Sequence, residues 1–353
     1  MTYEALLSPY FSKLGTTLGK SFIRQCSGAI DACSASTHEI SRHVSRQTGR
    51  CFNTSEKGLN YLLSNNNFQI DDRFWRLHIN MVFDILKEQN LILSDEPICI
   101  QVDFTSNKND FLILCASIIV RDRAVPIFFT MRNYPKRKGV YNHIKMEKAF
   151  IKGLRHLLSN KYQYVIVADR GFGNRRILDY CAAEGFDYVI RIEPNMRIKC
   201  SKKNGILRDI VITDSFADVF VPSWKREIRV HRHSLGNKSW YIVSNINDIN
   251  NIDVAGIYAD RFKIEKCFQD LKSSGFDIER SKIRKYDRYK RLLAICMVSH
   301  SVLVIIGHYV TEYMPAFLKN SPLCGATILA LFQSESTLYS SLLKGNYITL
   351  SEN

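Results

Sequence analysis

The spacing of hydrophobic residues divides the chain near residue 95 into two parts of different character. Before that point, apolar residues recur at helical spacing and runs of β-branched residues are almost absent. From Pro97 onwards, short apolar runs over 98–103, 111–120 and 124–130 are separated by polar breaks, which is typical of successive strands. The pattern predicts an all-α N-terminal region followed by a mixed α/β sheet.

The second part continues with alternating helices and strands. The pattern predicts helices over 142–158 and 174–184, each followed by a strand, at 164–168 and 188–192. Residues 193–250 are β-rich, and further helices begin near Val254 and after Arg288. We therefore predict a helical domain over 1–95, an α/β domain over 96–310 with a β-rich insertion at about 193–250, and a helical tail over 311–353.

The most apolar stretch, 292–307, predicts a buried core helix. It is shorter than the roughly 20 apolar residues that span a bilayer, and Ser299, His300 and Ser301 lie in its middle. The N-terminus has no basic segment followed by an apolar core, and ten scattered cysteines lack zinc-ligand spacing. These features predict a cytoplasmic protein with reduced thiols and no membrane association.

Two short helices in the first part resemble a helix-turn-helix in their spacing. The segments 36–39 and 53–56 both have capping-box spacing, and Gly49 ends the first helix. Leu59, Leu62 and Leu63 would then face inward. In a DNA-binding version the outward residues would be Thr54, Ser55, Lys57 and Asn60. A plain αα-hairpin of a helical bundle has the same pattern, and both interpretations stay open.

The charge of the chain favours a polyanionic partner. The sequence has 49 Lys and Arg against 34 Asp and Glu, a formal net charge of +15. Nucleic acid is the leading candidate for such a partner. Most of the excess lies after residue 95, so we expect the larger α/β part to make most of the electrostatic contacts.

One predicted helix carries four polar side chains on a narrow stripe. At about 100° per residue, Tyr258, Arg261, Glu265 and Lys272 fall within roughly 60° of one another. Two acids have a comparable context, because Asp103 and Asp169 each follow an apolar strand. Ion pairs on a solvated helix face and aspartates that cap turns are the commoner explanations of these patterns taken singly.

Taken together, these residues resemble the DDE transposases of bacterial insertion sequences, specifically the insertion-sequence-four family. The resemblance rests on Asp103-Phe-Thr, Asp169-Arg170 and the Tyr258-x2-Arg261-x3-Glu265-x6-Lys272 signature helix, and it covers roughly 95–310. It implies a ribonuclease H-like mixed sheet, with neighbouring first and fourth strands and a β-rich insertion before the last catalytic helix. Asp103, Asp169 and Glu265 would then converge as catalytic residues and metal ligands.

The resemblance also implies roles for basic and aromatic residues. Trp240 is similar in position to a tryptophan that stacks on a flipped base in that family. The basic and tyrosine side chains would hold DNA phosphates; these are Arg170, Arg191, Tyr258, Arg261 and Lys272. Two basic clusters would follow the DNA backbone: Arg132, Lys136, Arg137 and Lys138 in one, and Lys282, Arg284, Lys285, Arg288, Lys290 and Arg291 in the other.

The donor set indicates the cofactor. Three carboxylates without cysteine or histidine favour Mg²⁺ or Mn²⁺, and two such ions would activate a nucleophile and stabilise the leaving oxygen in phosphodiester cleavage. We thus expect a metal-dependent transposase that acts on double-stranded DNA, at both element ends and target, as a homodimer. A catalytically silent DNA-binding descendant and a ribonuclease H-like nuclease are the alternatives.

Overall fold

The computed structural model describes most of the chain up to residue 313. The described residues are 3–92, 96–108, 110–134, 143–200, 204–210, 216–235, 238–246, 253–273 and 275–313. Three predictions lie outside them: the basic residues Lys136, Arg137 and Lys138, nearly all of the tail over 311–353, and the environment of Cys324.

The N-terminal part consists of five helices around an aromatic-rich core. They are α1 (Tyr3–Phe11), α2 (Thr16–Ala32), α3 (Thr37–Thr48), α4 (Phe52–Ser64) and α5 (Asp72–Glu88). Phe11, Phe22, Phe68 and Phe74 are fully buried and in mutual ring contact. These contacts help to hold the helices together, since isolated helices of this length are marginal in water.

The predicted helix caps are correct for α3 and wrong for α4. The Ser36 hydroxyl accepts a hydrogen bond from the Glu39 amide at 3.4 Å, and Gly49 ends the helix in the left-handed conformation at φ 67°. α4 instead begins at Phe52, so Asn53 already lies inside its first turn and caps nothing. Helix α4 therefore starts without a side-chain cap, although Leu59, Leu62 and Leu63 face inward as predicted.

A ten-stranded mixed sheet forms the second part. In chain order its strands are β1 (Ile98–Asn107), β2 (Phe111–Val120), β3 (Arg123–Asn133), β4 (Tyr164–Ala168), β5 (Asp187–Arg191), β6 (Arg197–Lys199), β7 (Asn204–Ile206), β8 (Phe216–Val221), β9 (Arg226–Leu235) and β10 (Lys238–Ser244). The spatial order is β3-β2-β1-β4-β5-β10-β9-β8-β6-β7. β4 is parallel to β1 and to β5, and the other recorded pairs are antiparallel.

The extent of β1 differs from the sequence prediction, and the pairing of β10 shows how the β-rich segment joins the sheet. β1 continues to Asn107, so Asp103 does not end its strand, because β2 supplies a partner for every residue from 100 to 107. The β-rich segment is an extension of the same sheet, since β10 pairs directly with β5. The neighbouring positions of the first and fourth strands agree with the prediction.

Helices cover the sheet and complete the core. They are α6 (His143–Leu157), α7 (Arg175–Ala183), α8 (Val254–Ala259), α9 (Lys263–Lys272) and α10 (Tyr286–Tyr313). α10 is apolar and long enough to span a membrane by composition, but 94% of its apolar window is buried inside the protein. It packs against α2 and β3, which is the buried core helix that the sequence predicts. The described chain is thus a mixed α/β protein with a large mixed sheet, an arrangement consistent with a ribonuclease H-like fold.

Candidate active site

A buried guanidinium joins two of the three predicted acidic residues. Arg261 Nη1 donates to Asp103 Oδ2 at 3.1 Å, and Arg261 Nη2 donates to Glu265 Oε1 at 2.7 Å. The Arg261 side chain is only 6% exposed and that of Asp103 16%, whereas the Glu265 side chain is 55% exposed. A strand residue and a helix residue far apart in sequence therefore share one cationic partner.

Asp169 lies beside Asp103 at the end of the neighbouring strand. β1 and β4 are parallel, and Val102 is paired with Ala168, so Asp103 and Asp169 follow paired positions. Asp169 Oδ1 accepts a hydrogen bond from the Gly171 amide at 2.9 Å and so caps the short 3-10 turn over Arg170–Phe172. The capping role that aspartate commonly plays is thus present, and it engages one of the two carboxylate oxygens.

The electrostatics of Asp103 reflect a crowded carboxylate site. The pKa of Asp103 is raised to about 6, chiefly by burial and to a smaller extent by the nearby charges of Asp169 and Glu265. The Arg261 charge and the hydrogen bond from the Phe104 amide act in the opposite direction, towards a lower pKa. The Arg261 charge therefore does not offset the burial of the Asp103 carboxylate and the repulsion from its acidic neighbours.

The signature helix is interrupted where it carries its arginine. Tyr258 lies in α8, Arg261 in a 3-10 turn over Asp260–Phe262, and Glu265 and Lys272 in α9. The prediction of one continuous helix is wrong at this turn. Ile264, Phe268 and Leu271 hold α9 on the core, as their spacing predicts, and α9 packs against β1 and β3.

The other predicted phosphate-binding residues are dispersed around this centre. Tyr258 is 1% exposed, and burial raises its pKa against the opposing charges of Arg261 and Arg191. Arg170 forms an ion pair with Glu193 at 3.1 Å on the surface. Lys272 faces Glu279 at 4.0 Å, and it has no recorded contact with Glu265 among the described residues. Tyr258 and Arg191 thus lie close to Arg261, and Lys272 points elsewhere.

An aromatic surface adjoins the arginine. Trp240 contacts His233, Tyr258 and Phe262 at ring-centroid distances of 5.7, 5.2 and 5.6 Å. Phe262 is 40% exposed, and the Arg261 guanidinium carbon lies 4.4 Å from its ring centroid. Sequence reasoning identified Trp240 but missed Phe262, whose signal was its position directly after Arg261. The pair presents aromatic surface beside the acids.

The proposed DNA-reading face of α4 needs correction. Ser55 is 4% exposed and faces the core, since it lies one helical turn before Leu59. Asn60 Oδ1 accepts a hydrogen bond from Arg288 Nη2 at 2.9 Å, which ties α4 to α10. Thr54 and Lys57 do face outward, and Tyr61, which sequence reasoning missed, is 70% exposed beside Lys57.

The second basic cluster is partly structural. Arg291 is 5% exposed and donates to the Phe68 and Leu63 carbonyls at 2.7 and 2.9 Å. Arg284 pairs with Asp110 at 3.3 Å, and only Lys282, Arg284 and Lys285 are exposed. Two of its six members therefore hold helices together instead of facing a ligand.

The donor chemistry suits a hard divalent cation, although Arg261 lies where the donors meet. Asp103, Asp169 and Glu265 offer only carboxylate oxygens, and the raised pKa of Asp103 shows that its charge lacks full compensation. Within the described ranges, no group of three acidic, histidine or cysteine side chains has metal-ligand spacing. The oxygens that would bind a cation are those that Arg261 now engages.

Comparison with known proteins indicates a class of enzyme. Residues 130–301, just under half of the chain, match the family model described as "Transposase DDE domain", and this range includes Asp169 and Glu265. The match supports a DDE transposase, a nuclease-type enzyme whose substrate is DNA. Asp103 lies outside the matched range.

The other comparisons add little. No curated protein matches the chain. Among solved structures, the chain is similar to an endonuclease V from Bacillus subtilis, with 10% identity, coverage of 56% of this chain and 83% of that chain, and a TM-score of 0.28. A likeness at that level carries no argument about this protein.

Proposed function

We propose that this protein binds the terminal inverted repeats of an insertion sequence, cleaves phosphodiester bonds at the ends and transfers the strands to target DNA by two-metal-ion catalysis. We assign it to the insertion-sequence-four family on its Tyr258, Arg261, Glu265 and Lys272 signature. The observation that carries this proposal is the bridge through Arg261 between Asp103 and Glu265, with Asp169 on the paired strand.

The acids and the arginine have distinct tasks in this proposal. Asp103, Asp169 and Glu265 would hold two Mg²⁺ or Mn²⁺ ions, which activate the attacking water or 3′-hydroxyl and stabilise the leaving oxygen. Arg261, once its two carboxylate bonds are released, has both Nη atoms available for a phosphate oxygen. Tyr258 and Arg191 flank that guanidinium and orient it.

The aromatic surface would bind an unpaired base next to the cleavage point. The ring centroids of Trp240 and Phe262 are 5.6 Å apart, and the Arg261 guanidinium lies over the Phe262 ring. A base stacked on this surface would therefore lie near a phosphate held by the arginine. This arrangement supports cleavage with local distortion of the DNA end. Arg170 and Lys272 then serve the outer DNA backbone instead of the scissile phosphate.

The rest of the molecule would position DNA. Helices α3 and α4 present Arg42, Arg46, Lys57 and Tyr61 at the surface, and Arg50 is exposed in the turn between them, which supports a helix-turn-helix role over 1–95. Two DNA ends must be held at once, so we propose a homodimer on DNA. We also propose a cytoplasmic, nucleoid-associated location and no membrane partner.

The deciding experiment is end cleavage by purified protein. The wild-type chain is incubated with labelled element-end DNA in Mg²⁺, in parallel with Glu265→Gln and with Asp260→Asn as the matched control. Asp260 is an acid of the same helical segment whose ion pair goes to Lys263. We expect Mg²⁺-dependent nicking that Glu265→Gln reduces at least 100-fold and Asp260→Asn leaves within a few-fold.

The products separate the alternatives. Joining of the cut 3′ end to a second duplex identifies a transposase, whereas nicking without joining identifies a ribonuclease H-like nuclease. Binding of the end DNA without metal-dependent nicking identifies a silent DNA-binding descendant and overturns the proposal.

A further inference from the structure

A buried glutamate on α6 has no role in the site described so far. Glu147 is only 3% exposed, and its Oε2 atom has no hydrogen-bond partner within the part of the chain that the structure describes. An unpaired buried carboxylate oxygen is costly, so such a group is normally paired, protonated or bound to a cation. Glu147 therefore needs an explanation.

Aromatic contacts connect the start of α6 to both aspartate-bearing strands. His143, one helical turn before Glu147, contacts the ring of Phe104 edge-on at 5.4 Å. Phe104 directly follows Asp103, and its ring stacks on Phe172 at 5.5 Å, at the end of the turn that Asp169 caps. The helix face that carries His143 and Glu147 is thus held against the ends of β1 and β4.

The electrostatic neighbours of Glu147 lie on both sides of α6. The pKa of Glu147 is raised to about 7, chiefly by burial and in part by the charge of Asp169. Glu147 in turn adds to the effect of burial that raises the pKa of Cys181 on α7. No basic side chain is among the causes of the shift in the pKa of Glu147.

We propose that Glu147 is a fourth acidic residue of the active centre, which binds through its free Oε2 atom, directly or through one water, the divalent cation held by Asp169. This inference rests on the proposed function. One carboxylate oxygen of Asp169 accepts a hydrogen bond from the Gly171 amide and is therefore less available to a cation. In this proposal the Glu147 carboxylate supplies the additional oxygen ligand. Arg261 is hydrogen-bonded to Asp103 and Glu265 only, so the charges of Asp169 and Glu147 are left for a divalent cation to balance.

The test measures Mn²⁺ binding to the full chain without DNA. Wild type, Glu147→Gln, Asp169→Asn and the surface control Glu88→Gln are titrated with Mn²⁺, by electron paramagnetic resonance of the free ion and by the rise in melting temperature over EDTA buffer. We expect Glu147→Gln to weaken Mn²⁺ binding by 10-fold or more, as loss of a ligand or its orienting partner typically does, and to lessen the Mn²⁺-induced rise. Glu88→Gln should match wild type.

Folding is controlled in the same experiment. The glutamine keeps the size of the side chain and removes a buried charge, so in EDTA the melting temperature of Glu147→Gln should equal or exceed that of wild type. Wild-type Mn²⁺ affinity in a folded Glu147→Gln protein overturns the fourth-acid role while leaving the three-acid site intact. Absence of Mn²⁺ binding by wild type overturns both this inference and the two-metal proposal. If Asp169→Asn weakens binding but Glu147→Gln does not, only the inference on Glu147 fails.

Discussion

At the scale of single residues, the ionised form of Asp103 lowers the stability of the metal-free fold. Its carboxylate is buried, and its pKa is raised to about 6 from an ordinary value of 3.8 despite a hydrogen-bonded arginine. A folded-state pKa above the unfolded one means that the ionised form costs stability. That cost is complete above about pH 6 and disappears as the pH falls towards 4.

Replacement of Asp103 should therefore stabilise the metal-free protein. We expect Asp103→Asn to raise the free energy of unfolding by about 1–3 kcal/mol at pH 7.5 in EDTA, since each pKa unit corresponds to about 1.36 kcal/mol. At pH 4 the difference from wild type should vanish. Urea denaturation at both pH values measures it, and a destabilised variant at pH 7.5 would contradict the assignment.

The site residues also show what sequence could and could not predict. Asp169 could be located because the end of β4 is visible in the hydrophobic pattern, and Asp103 because it follows an apolar run, although its strand continues to Asn107. The bridge through Arg261 could not be predicted, because an arginine at this position is equally typical of a side chain that binds phosphate. Glu147 was missed because it lies between Lys145 and Lys148, which suggests a solvated position, whereas the packing of α6 against α7, α5 and β3 goes with its burial.

At the scale of elements, one arginine fastens the N-terminal helices to the α/β part. Arg291 of α10 is buried and donates to the carbonyls of Leu63 and Phe68, at and beyond the end of α4. These carbonyls have no helical partner in the following residues, so the guanidinium satisfies them. The sequence predicted the helices themselves, but it gave no sign that this residue of a basic cluster points inward.

Loss of that arginine should be strongly destabilising. We expect Arg291→Met to lower the free energy of unfolding by about 2–4 kcal/mol, because two buried carbonyls lose their donor. Arg280→Met is the control, since Arg280 is 85% exposed and pairs only with Asp277 in the described chain, and it should change stability by less than about 0.5 kcal/mol. Equal effects of the two variants in urea denaturation would contradict the fastening role.

At the scale of the whole molecule, excess charge should govern DNA binding. The chain carries a formal net charge of +15, and several exposed basic residues lie on α3 and α4. If 6–10 phosphates are contacted, affinity for end DNA should fall by about 10³ to 10⁵ between 50 and 200 mM salt. Fluorescence anisotropy measures the slope, and Lys57→Ala should reduce it by about one unit.

The contribution of phosphate contacts and that of base contacts can be separated in the same titration. Tyr61→Ala removes no charge, so it should leave the salt dependence of binding unchanged. Because it removes an exposed side chain that can contact bases, it should weaken the preference for end DNA over random DNA. A slope near zero for wild type would contradict a phosphate-dominated interface. The predicted two-part organisation explains why the tests differ, since the acids lie in the sheet part and these residues on the helices.

The continuity of the sheet limits how the chain can vary. β10 pairs with β9 along its whole length and with β5 from Ile242 to Ser244, and alternate residues of a strand face opposite sides. Adding or deleting one residue within Lys238–Ser244 would turn Trp240 to the reverse side of the sheet, away from Tyr258 and Phe262. Insertions or deletions of two residues keep Trp240 on the same side of the sheet. We therefore expect single-residue insertions and deletions to occur in the connections between strands and not within this strand.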